Sequence, residues 1–142
     1  MSERVIPNDV EELLRDSVHS FEELEVLLLL HREAPRAWTA AAIAGELHLE
    51  VPAVMAALIH LADQGLVAQR EAGQSASYRY AARTAELAAA VDHLSVSHGQ
   101  DRLQIALVLS RNAMSRIQRS TLKAFSDAFQ LRPGGEKGKK DG

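Results

Sequence analysis

Apolar residues recur every three or four positions along most of the chain, and this spacing is typical of amphipathic helices. Residues 9–15 fit one short helical turn. Ser20 and Glu23 have the spacing of a capping box, so a helix is expected to begin there. Pro35 disfavours the helical conformation at the residue before it, which predicts that this helix ends at about Glu33.

A pair of shorter helices is predicted next, joined by a turn. Thr39 is a suitable N-cap for a helix over 40–47. Pro52 suits the first turn of a helix over 52–64, because the amide hydrogen that proline lacks would have no partner there. Gly65 is predicted to end this second helix in a left-handed conformation.

The pattern then changes to short runs that fit strands. Residues 66–71 and 77–82 predict two strands, with Tyr78 and Tyr80 on one face of the second. Residues 72–76 are rich in small and polar residues and predict the loop of a hairpin.

Helical spacing returns after the hairpin. Thr84 is expected to cap a helix, and Gly99 marks a position where that helix can break or kink. Residues 103–109 alternate like a strand but also continue the helical stripe, and the helix is favoured because the stripe stays in phase. A last short helix is expected over 119–129, followed by a polar tail that is expected to be disordered.

Two stretches resemble a known family. Residues 61–67, Leu-Ala-Asp-Gln-Gly-Leu-Val, are similar to the junction between recognition helix and wing in winged helix-turn-helix transcription regulators of bacteria, broadly of the MarR-like type. Residues 39–47 are similar to the helix that braces the recognition helix in that family. The resemblance covers residues 20–83. It implies a mainly α protein with a small β-hairpin wing and flanking dimerisation helices.

Four regions are predicted on this basis, and charge is distributed unevenly among them. They are an acidic N-terminal lead-in over 1–16, a winged helix-turn-helix domain over 17–83, a C-terminal helical dimerisation region over 84–131, and a disordered basic tail over 132–142. The first 33 residues carry nine acids and three bases, whereas residues 101–142 carry four acids and nine bases. A polyanion is therefore attracted more strongly to the C-terminal third.

Double-stranded DNA is the partner that the resemblance implies. In that family the helix matching 52–64 enters the major groove, and the wing contacts the DNA backbone. Three wing arginines are expected to meet phosphates, while His60 and Gln64 contact bases. The full set of expected DNA-binding residues is Thr39, Pro52, Ala53, Ala56, His60, Gln64, Arg70, Arg79 and Arg83. A homodimer is also implied, because flanking helices of this kind build a two-fold interface in the family.

One feature of the predicted recognition helix favours another function. No Lys or Arg occurs between His48 and Gln69, so the outward alanines, Ala53, Ala56 and Ala57, reach only thymine methyl groups. A small, apolar helix face also suits the docking of another protein. The alternative hypothesis is therefore a winged-helix adaptor that binds a protein partner and has lost DNA reading.

The sequence has few features that would indicate another class of function. The chain has no cysteine, which excludes disulfides and thiolate zinc sites. Its six histidines do not have the spacing of a helical zinc site, and no nucleophile or phosphate-binding motif is present, so neither an enzyme nor a cofactor is expected. The longest apolar run, over 26–30, is far shorter than a membrane span, and a cytoplasmic protein is expected.

Overall fold

A computed structural model describes the backbone of residues 6–72 and 75–135, and the side chains of residues 6–70 and 76–128. Its elements follow in the order α1 (Asn8–Asp16), α2 (Phe21–Arg32), α3 (Ala40–Leu47), α4 (Val51–Asp63), β1 (Val67–Ala72), β2 (Ser75–Tyr80), α5 (Ala85–Gln100) and α6 (Arg102–Gly135). The predicted class, mainly α with a β-hairpin wing, is confirmed.

Three helix starts were predicted from local caps, and all three are confirmed. The side chains of Ser20, Thr39 and Thr84 each accept a hydrogen bond from the backbone N–H three residues later. Glu23 completes the α2 cap by accepting from the backbone N–H of His19 at 2.6 Å, one residue before the serine. These caps satisfy amides that the first turn of a helix leaves without partners.

The N-terminal segment is more than an acidic lead-in with one turn. α1 is a helix of nine residues that packs against α5 and buries Val10, Leu13 and Leu14. Glu11, Glu12 and Asp16 face solvent, whereas Asp9 is half-buried and lies 2.7 Å from His93 of α5. The helix is therefore part of the core, because its apolar stripe packs against α5, which begins 69 residues after α1 ends.

The junction between α4 and the wing has the predicted geometry. Gly65 has φ +79°, a left-handed conformation that residues with a Cβ rarely adopt. Leu61 and Leu66 flank this turn and are both fully buried. The turn thus connects the end of α4 to β1 while keeping the apolar side chains on either side of it in the core.

The wing is a two-stranded antiparallel sheet with a short third segment at its edge. Val67 pairs with Tyr80, and Ala68 pairs with Arg79. Trp38 forms an isolated bridge to Tyr78, with backbone hydrogen bonds of 2.8 and 2.7 Å in the two directions. This bridge places the link between α2 and α3 beside the second strand of the wing.

The C-terminal helices differ from the prediction. α5 ends at Gln100, close to the expected break, and the helical interpretation of 103–109 is confirmed. The separate short helix expected over 119–129 is wrong, because α6 runs without interruption from Arg102 to Gly135. The first four residues of the expected tail, 132–135, are therefore helical, and the rest of the tail, 136–142, lies outside the described residues.

The chain divides into two compact units, residues 1–109 and 110–142, with the boundary inside α6. The first unit holds the buried core, and the described part of the second is helix with exposed apolar side chains. Within the described ranges, no single helix has the length and apolarity to cross a membrane; α3 and α4 meet that test only as a pair, bent by 114°.

Candidate nucleic-acid interface

The outward face of the wing carries two arginines. Alternation along paired strands places Val67 and Tyr78, both about 5% exposed, on the face that meets the core. Arg70 and Arg79 belong to the opposite face and are exposed. The strand register therefore presents both guanidinium groups to solvent on the same side of the hairpin.

A shallow depression of about 330 Å³ lies between these arginines and the link that precedes α3. Its lining combines Arg70, Arg79 and Ser77 with Pro35 and Ala37. Two cationic groups around one concave, solvent-open surface can hold an anion such as a phosphate group by charge-assisted hydrogen bonds.

Arg83 occupies a different position from the other two wing arginines. A Cβ placed on Gly65 would lie 2.8 Å from the Nε atom of Arg83, so this side chain packs directly over the glycine. The backbone N–H of Arg83 also donates to the carbonyl of Gly65 at 2.7 Å. Arg83 thus lies at the junction of α4 and the wing, and its exposed side chain adds positive charge there.

The described side chains include no acid that neutralises the wing arginines. Among the side chains that the structure describes, no carboxylate oxygen lies within 4.0 Å of a nitrogen of Arg70, Arg79 or Arg83. Arg36 adds a fourth exposed guanidinium nearby, stacked 3.9 Å above the ring of Trp38. These cations are therefore available to an external anion.

The outward face of α4 differs from the face that the sequence predicted. Pro52 and Ala56 are exposed as expected, but Ala57 is only 2% exposed. It lies on the buried stripe because α4 packs on α2 through Val54, Leu58 and Leu61. The solvent face instead includes Ile59, which is 64% exposed, together with Val51 and Asp63.

His60 does not point into solvent as a base-reading side chain would. Its Nε2 atom lies 3.0 Å from the carbonyl oxygen of Ser17 and 3.7 Å from a carboxylate oxygen of Glu23. Its ring also contacts that of His19, with 4.9 Å between the centroids. The ring therefore joins α4 to the turn between α1 and α2, and its Nε2 atom is directed at that turn. Its expected contact with a base stays a prediction.

The remaining expected DNA-binding residues on α3 and α4 are Thr39, Ala53 and Gln64, and each is only partly available to a partner. Thr39 is exposed, but its hydroxyl accepts the capping hydrogen bond from Ala42 at 3.1 Å. Ala53 and Gln64 are half-buried at the two ends of α4. Within the described part of the chain, no three His, Asp or Glu side chains converge in a way that can hold a metal ion.

Sequence reasoning missed Ile59 and Arg36. The spacing Pro52, Ala56, Ile59 and Asp63 is i, i+4, i+7, i+11, which places these four residues on one helical face. This periodicity was available in the sequence and identifies the outward face. Arg36 had no comparable signal, since its position beside the wing depends on the bridge between Trp38 and Tyr78.

Comparison with known proteins supports the fold. No family model matches the chain, and no curated protein matches it in sequence. The homodimeric winged helix-turn-helix DNA-binding domain Mb0332 from Mycobacterium bovis, a possible ArsR-family transcriptional regulator, is similar with a TM-score of 0.50 and 21% identity, over 72% of this chain and 94% of that one.

Two further solved structures are similar at slightly lower scores. Reduced HlyU from Vibrio cholerae has a TM-score of 0.49 and 19% identity, over 66% of this chain and 90% of its own. The adhesin competence repressor AdcR from Streptococcus pyogenes has a TM-score of 0.46 and 16% identity, over 88% and 91%. The likeness to Mb0332 identifies the fold of this chain as a winged helix-turn-helix.

Proposed function

We propose that this protein is a DNA-binding transcription regulator whose wing provides most of its affinity. The observation that carries the proposal is the pair of exposed arginines, Arg70 and Arg79, on one face of the hairpin without acidic partners among the described side chains. Phosphate contacts dominate the affinity of most DNA-binding proteins, and arginine provides them on any sequence. Mb0332, which has the same fold, is described as a DNA-binding domain.

In this proposal α4 lies against the major groove and reads little sequence. Pro52, Ala56 and Ile59 offer only apolar contact, which suits thymine methyl groups, and Asp63 repels phosphates. Thr39, Ala53 and Gln64 remain candidate contacts at the ends of α3 and α4. Arg83 holds a phosphate at the junction of helix and wing. A cytoplasmic location is part of the same proposal.

The proposal includes a homodimer formed through the C-terminal helix. Met114, Ile117 and Phe125 fall on one stripe of α6 and are 56–60% exposed. Side chains of this size are rarely left in a stripe on a monomeric helix, because burial of each stabilises association by about 1.5–3 kcal/mol. Mb0332 is described as homodimeric. The narrower assignment to a MarR-like family belongs to the same proposal.

A double substitution tests the role of the wing. Arg70→Ala with Arg79→Ala should weaken binding to a mixed-sequence duplex about 100-fold at moderate salt, because a dimer loses four phosphate contacts. The slope of log affinity against log salt should become shallower by about 3.6, which fluorescence anisotropy at several salt concentrations measures. The matched control is Arg111→Ala, an exposed arginine on α6. Equal affinity and slope in wild type and double variant, or no duplex binding by the wild type, would overturn the proposal.

Sedimentation equilibrium tests the dimer. Ile117→Asp places a charge in the apolar stripe and should convert the protein to a monomer at micromolar concentration. Ser126→Asp introduces the same carboxylate on α6 outside that stripe and should leave the mass unchanged. A wild-type protein that sediments as a monomer contradicts this part of the proposal.

The alternative adaptor hypothesis depends on Val51 and Ile59, two exposed apolar side chains about two turns apart on α4. An apolar helix face of this kind suits a protein partner, and the adaptor hypothesis rests on it. The two functions differ in how they respond to a positive charge on this face. A lysine at position 59 should strengthen duplex binding in a regulator, whereas it should weaken a protein complex formed through the same face.

A further inference from the structure

The outward face of α4 is apolar over the first two thirds of the helix. Pro52, Ala56 and Ile59 are exposed on this face, and Met55 is half-buried beside it. Ile59 is the largest of the three exposed side chains and is 64% exposed. From Val51 to Ile59, α4 therefore offers a partner no side-chain N–H, O–H or oxygen.

The polar side chains of α4 follow this apolar stretch. His60 has its Nε2 atom 3.0 Å from the carbonyl oxygen of Ser17, on the turn between α1 and α2. Asp63 lies on the same face as Ile59, at the last residue of the helix. The apolar stretch before them extends over about 12 Å, because an α-helix rises about 1.5 Å per residue. This length covers about three base pairs of a duplex, which are spaced about 3.4 Å apart.

The major groove of a DNA duplex presents one apolar group to such a face, the 5-methyl group of thymine. The other groups that proteins read on the base edges are hydrogen-bond donors and acceptors. An apolar side chain that displaces water from one of these groups leaves it without a partner, which is unfavourable. A methyl group instead gains from contact with an aliphatic side chain, because both lose apolar surface to water.

We propose that α4 selects duplexes with successive A·T base pairs by contact with the 5-methyl groups of thymine, and that Ile59 determines this specificity. The inference rests on the proposed function, in which wing arginines hold the phosphates and α4 lies against the major groove. The two surfaces adjoin, since α4 contacts β1 and the turn at Gly65 joins them. Ile59 provides most of the contact, because Pro52 and Ala56 have less apolar surface.

Two duplexes that differ only in the methyl group test this proposal. One is an alternating adenine–thymine duplex of about 24 base pairs, long enough for two half-sites one helical turn apart, and the other has uracil in place of thymine. Loss of one methyl contact on each α4 of a dimer should weaken binding about 15-fold, because each contributes about fourfold. The slope of log affinity against log salt should be equal for both duplexes, because their phosphates are the same. Fluorescence anisotropy measures both quantities.

The opposite chemical change gives a second readout. A mixed-sequence duplex with 5-methylcytosine in place of every cytosine carries additional methyl groups at the same position of the major groove. It should bind more tightly than the unmodified duplex, by about fourfold for each methyl group that an α4 contacts. An effect of methyl groups on both pyrimidines would assign the preference to the methyl group itself, since the hydrogen-bonding groups of thymine and cytosine differ.

A substitution then assigns the preference to Ile59. Ile59→Ser should reduce the ratio of affinities for the thymine and uracil duplexes from about 15 to about two, because most of the apolar contact is lost. The matched control is Val96→Ser on α5, which removes a β-branched side chain that is 58% exposed and should leave the ratio unchanged. Since both residues are exposed, both variants should remain folded, and circular dichroism checks this.

The outcomes separate this inference from the proposed function. Equal affinity of the wild type for the thymine and uracil duplexes, no gain from 5-methylcytosine, or an unchanged ratio in Ile59→Ser would overturn the inference. The proposed function stands in each of these cases if duplex binding still depends on Arg70 and Arg79. A wild type that binds neither duplex overturns both, and the apolar face of α4 is then available to a protein partner.

Discussion

Two neighbouring surfaces of the winged domain differ in their chemistry. The outward face of the hairpin carries Arg70 and Arg79 without neutralising acids among the described side chains. The outward face of α4 carries Pro52, Ala56 and Ile59 and ends with the acidic Asp63. One surface is suited to phosphates, and the other offers almost no hydrogen bonds to bases.

This difference indicates that affinity and sequence discrimination come from different surfaces of the proposed regulator. Affinity comes from backbone contacts of the wing, which depend strongly on salt and little on sequence. Discrimination between sequences is left to apolar contacts and to the shape of the duplex, which is read without base contacts. A regulator of this type is expected to show a small ratio of specific to non-specific affinity.

The largest expected effect comes from breaking the connection between the two surfaces. Gly65→Ala should lower the free energy of unfolding by about 2 kcal/mol, because an alanine is strained at this φ. Its Cβ would also displace the side chain of Arg83. Urea denaturation measures this change, and Gly45→Ala is the control, since Gly45 lies inside α3 and its Cβ would meet nothing within 4 Å. Equal stability of Gly65→Ala and wild type would show that the junction tolerates a side chain.

Two substitutions at Ile59 change the charge of the outward face of α4. One adds a positive charge, as on the wing, and the other adds a negative charge. Ile59→Lys should strengthen duplex binding about tenfold and steepen the salt slope by about 1.8 in a dimer, because it adds one cation per chain. Ile59→Glu should weaken binding by a similar factor, and fluorescence anisotropy measures both. If neither variant changes duplex affinity, α4 does not face the DNA and the comparison of the two surfaces loses its functional meaning.

A smaller effect is expected at His60, and it tests whether this residue stabilises the fold or contacts DNA. His60→Ala should lower the free energy of unfolding by about 1 kcal/mol, because Ser17 loses the donor to its carbonyl oxygen. Thermal denaturation measures the loss. Duplex affinity should remain within about twofold of wild type, since the ring contacts the turn between α1 and α2 and Glu23 of α2. A change in base preference without a loss of stability would instead place His60 at the DNA.

The smallest expected effect is a pH dependence of the free energy of unfolding. It comes from His98, which belongs to neither surface. The pKa of His98 is lowered in the folded state, so the unfolded chain binds the proton more readily. The free energy of unfolding should therefore fall as the pH drops below about 6.5, the value for the unfolded chain, and level off below the folded pKa. Denaturation of wild type and His98→Gln at several pH values measures this, and the variant should show a smaller decrease. An identical decrease in both would assign the pH dependence to other groups.

The sequence by itself determined the local structure. The caps at Ser20, Thr39 and Thr84 and the turn at Gly65 depend on residues within about four positions of one another, and the structure has each where it was predicted. The order of helices and strands followed from the same short-range patterns. The two arginines on the outward face of the hairpin also follow from alternation along paired strands.

Only the tertiary structure decided which groups are available to a partner. His60 contacts a carbonyl 43 residues away, so the local sequence pattern could not indicate this contact. Ala57 is buried and Ile59 exposed because α2 determines which side of α4 faces the core. The acidic N-terminal segment enters the core because α5 covers its apolar stripe. In each case the physical reason is the same. Burial depends on packing between elements that are distant in the chain, and the identity of neighbouring residues does not determine it.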